Sequence, residues 1–274
     1  MQRFVAAAVQ MCSGSDRDVN LARATALIEQ AAARGARLVV LPEVFVWRGP
    51  SAGDGEHDEP IPGPTTEAMG AVARRTGVHL CLGSLLERSP MPARPYNTSC
   101  LIGPNGAILA TYRKIHLFDV ALPGRVVVQE SASRLPGSVP VVVATDLGVL
   151  GLSICYDLRF PELYRRLALA GAEVILIPSA FTFPTGAAHW DVLCRARAIE
   201  NQCYVIAADQ GGQSPHGFAD WGDSLIADPW GRVLARAATG EGLALAEIDP
   251  EYLGHVRREL PSLEHVRLGT DGAS

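Results

Sequence analysis

The chain has 274 residues, 48% of them hydrophobic and 19% charged, with a formal net charge of −5. That balance excludes a basic nucleic-acid surface. The even spread of charge excludes an acidic tail or a polybasic membrane anchor, and no apolar run nears the ~18 residues of a membrane span. Met1-Gln2-Arg3-Phe4 enters an apolar alternation at once, without the longer apolar stretch of a signal peptide, so a cytoplasmic location is expected.

Residues 3–11 read as an apolar strand. Asp16 or Asp18 caps a helix in which Leu21, Ala24, Leu27, Ile28, Ala31 and Ala32 recur at helical spacing until Gly35. Residues 37–41 form a short β-branched strand punctuated by Pro42, which leaves Glu43 just beyond a strand's C-terminal end. A loop rich in Gly, Pro and acids covers 48–64, a helix over 65–76 stops at Gly77, and a strand follows over 78–84. Residues 96–102 and 107–112 flank Pro104-Asn105-Gly106, a hairpin signal, and Lys114 comes just after. A long loop is expected over 115–137; loops of that length are usually functional.

Strands over 139–144 and 149–154 flank Asp146-Leu147-Gly148, and Cys155 follows the second. Pro161 opens a helix that ends at Gly171. A strand over 173–178, a helix over 188–201 and a strand over 203–208 come next. Strands over 224–228, 232–236 and 243–248 and a helix over 249–258 complete the chain. This is an α/β pattern whose antiparallel share argues against an all-parallel doubly wound sheet. One domain over 1–274, with its core at about 3–258, is expected.

The six cysteines, Cys12, Cys81, Cys100, Cys155, Cys194 and Cys203, form no C-x-x-C pair, so they are read as buried thiols rather than a disulfide or zinc framework. Cys155 differs because it ends a strand just before a Pro-started helix, the geometry in which a nucleophile is presented. Glu43 in LPEVF and Lys114 in YRKIHLFD also stand at strand ends, where open α/β sheets place their sites. Singly they read as well as a surface acid, a solvated cation and a core thiol. Gathered, they suit acyl transfer: the thiolate attacks a carbonyl, the carboxylate moves protons and the ammonium holds the oxyanion. Two rival constellations are a Cys155–His189 dyad and a metal held by His116, His189, Cys155 and Asp157, neither of which has regular spacing.

The segments LPEVF, YRKIHLFD and SICYDLRFPEL, in this order, resemble the nitrilase, or carbon–nitrogen hydrolase, superfamily. YNTSCLIGPNGAILATYRKIHLFD, SAFTFPTGAAHWDVLCRARAIENQCYV and DSLIADPWGRVLA extend the resemblance over essentially the whole chain. ICYDLRFPELYR and EIDPEYLGHVRRELPSLEH look most like its branch acting on deaminated glutathione, and next like the omega-amidases acting on 2-oxoglutaramate. The resemblance implies a four-layer αββα sandwich, a homodimer or higher homo-oligomer, and a Glu43, Lys114 and Cys155 triad needing no metal or other cofactor. It further implies Glu130, in VVVQESASRLPG, as a second glutamate, with Asp119 the other nearby acid, and the Tyr156 N–H beside Lys114 at the oxyanion. The expected substrate is a small linear amide bearing a carboxylate. Arg159 is the expected fork for that carboxylate, its alternative being a salt bridge to Glu162. Phe181, Thr182 and Thr185 are expected to line the pocket, and Trp190 to be either wall or core. An acyltransferase on the same triad and a non-catalytic binding protein are the readings from other classes.

Overall fold

The computed structural model describes residues 2–92, 94–122, 126–213, 215, 217 and 219–268. One sheet runs in the order Gly242–Ile248, Phe4–Gln10, Ala36–Val40, His79–Cys81, Tyr96–Ile102 and Leu85–Glu87, and Ile108–Arg113 also pairs with Tyr96–Ile102. The other runs Val233–Arg236, Leu225–Ala227, Tyr204–Asp209, Val174–Ser179, Gly148–Leu152 and Val141–Thr145. Parallel and antiparallel pairs mix in both. Pleating sorts the side chains into layers. Phe4, Ala6, Ala8, Leu38 and Val40 join the core shared with the second sheet, while Ala7, Val9 and Val39 face helices Arg17–Ala33 and Pro64–Thr76 through Ile28, Met69 and Val72. Helices Pro161–Leu169 and Phe183–Asn201 cover the second sheet. The layers read helix, sheet, sheet, helix.

Local chemistry explains the boundaries. Asp16 caps the first helix by accepting from the Val19 N–H at 3.1 Å, satisfying one of its orphan donors. Pro64 and Pro161 sit in the first turns of their helices, where a missing N–H costs nothing. The strand expected over 78–84 breaks after Cys81 and resumes at Leu85. At Gly83, with φ +60°, a Cβ would meet the Pro42 carbonyl oxygen at 1.9 Å. The helix expected from 188 begins at Phe183. Its Phe-Pro-Thr-Gly start reads as breakers, yet Pro184 lies in the first turn and Gly186 leaves room for Trp221, whose Cβ would stand 2.2 Å from an added methyl. The expected 115–137 loop holds a ribbon, Asp119–Leu122 with Val126–Gln129, and a helical turn, Glu130–Ser133. A 3₁₀ turn, Ser51–Glu56, lies within the 48–64 loop.

Candidate active site

Glu43 leaves the end of strand Ala36–Val40 and crosses to the other sheet. Its N–H donates to the Ser179 carbonyl at 3.2 Å, and its carbonyl accepts from Gln210 Nε2 at 3.0 Å. Lys114 follows strand Ile108–Arg113 and is pinned through its N–H to the Asn97 carbonyl at 2.8 Å. Cys155 opens the 3₁₀ turn Cys155–Arg159 with a φ of +48°. A left-handed backbone at a non-glycine residue is strained, and such strain is held in place only by its surroundings. Here the brace is Asp157, fully buried. Its carboxylate accepts from the Ile154 N–H (2.9 Å), the Tyr112 hydroxyl (2.7 Å) and the His116 N–H (3.0 Å). His116 Nδ1 lies 2.7 Å from the same carboxylate. One acid thereby ties the Cys155 turn to both sides of Lys114.

The Lys114 ammonium donates to Glu43 Oε1 at 2.8 Å and to Glu130 Oε2 at 2.9 Å, and Lys114 is 2% exposed. Asn97 Nδ2 bridges the same two acids at 2.8 and 3.2 Å. Glu130 also accepts from the Phe118 N–H at 2.7 Å and from Arg134 Nη1 at 2.9 Å, and Arg134 reaches Asp54 with its Nε at 2.8 Å. Burial opposes the charged form of Lys114, but the carboxylates of Glu130 and then Glu43 outweigh it and hold the ammonium above its ordinary value. Burial likewise opposes ionised Glu130, and Lys114 and Arg134 outweigh it, so its carboxyl lies below the usual range. The Cys155 thiol is pushed well up, first by burial and then by Glu43, against the Lys114 ammonium and the Ala180 N–H. The shift favours the protonated thiol beside Glu43.

The two shifts set a stability profile. Depressed Glu130 stabilises the fold above its unfolded value of 4.5 and loses that contribution as pH falls toward its folded value. Raised Lys114 contributes fully below 10.5 and loses it only as pH rises beyond. Glu130→Gln is therefore expected to lower the Tm at pH 7 and to flatten its decline in acid. Parallel acid limbs in thermal melts of the two proteins would refute this.

A cavity of about 500 Å³ opens over these groups and is lined by Glu43, Lys114, Glu130, Cys155, Tyr156 and Arg159, among others. Phe181, Thr182 and Thr185 line it as well. Arg159 makes no ion pair among the described residues. Its Nη1 lies 3.1 Å from His189 Nδ1, its guanidinium packs on the Tyr156 and Phe181 rings, and Glu162 is exposed on the next helix. Trp190, expected as wall or core, is core and not wall: fully buried and absent from the lining, it packs tilted against Phe181 at 5.0 Å between ring centroids and donates Nε1–H to the Asp223 carbonyl. The reason is its place on the helix face that meets the sheet. His189 is exposed and engages Arg159 rather than Cys155. His116 and Asp157 meet as a hydrogen-bonded pair, and among the described residues no three metal-ligating side chains converge. Asp119 accepts from the Ser131 N–H on the ribbon. Asn97, Arg134, Asp54 and the bracing role of Asp157 were not signalled by the sequence; each has at least one partner distant along the chain.

The family model described as carbon–nitrogen hydrolase matches residues 5–258. The chain is 45% identical to deaminated glutathione amidase of Homo sapiens over 95% of its own length and 81% of that protein. It is 38% identical to the omega-amidase of Danio rerio over 97% and 96%. Nit3 of Saccharomyces cerevisiae, a member of branch 10 of the nitrilase superfamily, superposes with a TM-score of 0.85 at 33% identity, covering 95% of each chain. An amidase from Nesterenkonia sp. AN1 superposes with a TM-score of 0.78 at 27% identity, covering 94% of this chain and 95% of that one. In that structure, of a glutamate-to-leucine mutant, the acetamide moiety of fluoroacetamide is added covalently at the active-site cysteine. With the layered αββα fold and nearly full-length matches, the chain belongs to the carbon–nitrogen hydrolase family of the nitrilase superfamily and is an amidase, hydrolysing carbon–nitrogen bonds.

Proposed function

We propose that the chain hydrolyses a small linear amide bearing a carboxylate, deaminated glutathione first, through a thioester on Cys155. The observation that carries this is the buried Cys155 thiol sharing one cavity with Glu43 and with an ammonium held between two carboxylates. Glu43 takes the thiol proton as sulfur attacks the amide carbon. The oxyanion forms against Lys114 and the Tyr156 N–H. Glu43 passes the proton to the departing nitrogen, and the C–N bond breaks. Water then loses a proton to Glu43 and adds to the thioester, Glu130 holding Lys114 in place. Collapse expels the sulfur, which regains its proton from Glu43.

Arg159 supports the carboxylate. It is a fork-shaped cation at the cavity, it lacks an acid of its own among the described residues, and it can donate two parallel hydrogen bonds. Arg159→Lys is expected to raise KM at least about 10-fold on 2-oxo-acid amides, since a point charge cannot reproduce the fork. Unchanged KM would remove Arg159 from recognition. The human relative's name favours deaminated glutathione, and the zebrafish relative's favours 2-oxoglutaramate as the second reading. The ratio of kcat/KM in competition decides between them. Neutral amides or nitriles turned over faster than either would sink the substrate class. A homodimer belongs to the same reading. Val192, Ile199 and Trp230, 63%, 48% and 55% exposed, are the apolar surface that supports it, and sedimentation measures it.

A further inference from the structure

The cavity holds another cation, which the mechanism above leaves unused. Arg48 lines it, yet its side chain is only 5% exposed. Its terminal nitrogens bind the Asp220 carboxylate, Nη1 to Oδ2 and Nη2 to Oδ1 at 3.2 Å. Its Nε–H is buried and has no acceptor among the described residues. Native proteins rarely leave a buried donor unpaired, and one on a cavity-lining cation points to an acceptor that arrives with a ligand. The backbone around it is fixed: Arg48 N–H donates to the Gly14 carbonyl at 2.9 Å, and Trp221 N–H to the Phe181 carbonyl at 2.8 Å. The guanidinium is therefore held in place before any substrate enters.

Position separates this cation from Arg159. Arg48 lies on the segment that carries Glu43, and the Glu43 charge is felt at Asp220. Glu43 is the group that returns a proton to the departing nitrogen in the proposed reaction, so the leaving group lies on its side. Arg159 comes from the turn that carries Cys155.

We propose that Arg48 reads the leaving group: its guanidinium donates to a carboxylate oxygen carried on the substituent of the amide nitrogen. The cavity then selects amides with an anion on each side of the scissile bond, one for Arg159 and one for Arg48. This rests on the function proposed above and deepens it by naming the substrate class. Deaminated glutathione, which releases cysteinylglycine, has both anions. 2-Oxoglutaramate shares the acyl half but releases only ammonia.

Calorimetric titration of the non-hydrolysing Cys155→Ala protein with each compound tests this apart from turnover. Adding Arg48→Gln is expected to weaken binding of deaminated glutathione at least about 10-fold and of 2-oxoglutaramate less than about 3-fold. Arg48→Gln alone strands the Asp220 charge, so the same comparison is made in Arg48→Gln/Asp220→Asn, which leaves no uncompensated ion. Equal weakening of both compounds, or of neither, in the double variant overturns the proposal. An unmutated enzyme that hydrolyses neither compound, with the binding difference intact, would sink the proposed function and keep Arg48 as the reader of the second anion.

Discussion

Cys155→Ala is expected to lower kcat on the order of 10⁴- to 10⁶-fold, the loss seen when a covalent nucleophile is removed, while the Tm moves by less than about 4 °C. The structure supplies the reason for the second half. Cys155 already sits at φ +48°, a penalty that alanine shares because it, too, has a Cβ. The brace at the turn is the Asp157 carboxylate, bonded to Ile154, Tyr112 and His116, and none of those bonds involves the thiol. Alanine also removes a thiol whose burial beside Glu43 disfavours its ionised form. The other five cysteines are expected to tolerate substitution by alanine or serine without loss of kcat beyond what altered packing explains. Mass spectrometry of the enzyme quenched during turnover should find the acyl group on the peptide containing Cys155. Substantial activity in the alanine variant, or an adduct on another cysteine, would end the assignment.

Lys114→Met is expected to lower kcat about 10²- to 10³-fold with little change in KM, the pattern of a donor that acts on the transition state. Two effects compete in this variant and must be separated. Methionine matches the volume, but it removes the cation between Glu43 and Glu130. Breaking a buried pair from one side typically costs about 3–5 kcal/mol. Glu130 keeps Arg134 and the Phe118 N–H, and both acids keep Asn97. The stranded charge therefore falls mainly on Glu43, and the variant should lose stability as well as turnover. Adding Glu130→Gln to Lys114→Met lessens the like-charge repulsion and should restore stability but not turnover. A raised KM with normal kcat would instead assign Lys114 to substrate binding.

The three strand-end motifs were legible because each is local. Pro42 stops a strand before Glu43, the Pro104-Asn105-Gly106 hairpin delivers Lys114, and Pro161 starts the helix after the Cys155 turn. Helix starts were less secure. The Phe183–Asn201 helix begins earlier than expected, since a proline in a first turn and a glycine fitted to Trp221 look locally like breakers. The same limit affected Trp190. Spacing places it on a helix, but only packing against Phe181 and the Asp223 carbonyl decides that it faces the core.

Composition, periodicity and turn residues by themselves determined an α/β chain with mixed sheets and placed Glu43, Lys114 and Cys155 at three strand ends. They did so because capping, breaking and alternation act over a few residues. The meeting of those ends was decided by sheet pairing, and their protonation states by burial, neither of which has a local signature. Glu43 and Lys114 are 71 residues apart and bond at 2.8 Å. Arg48 and Asp220 are 172 apart and close on one another in the interior. A raised thiol, a depressed Glu130 and a buried guanidinium with an unpaired Nε–H arise only when distant segments exclude water together, since it is the loss of water that makes each charge depend on its neighbours.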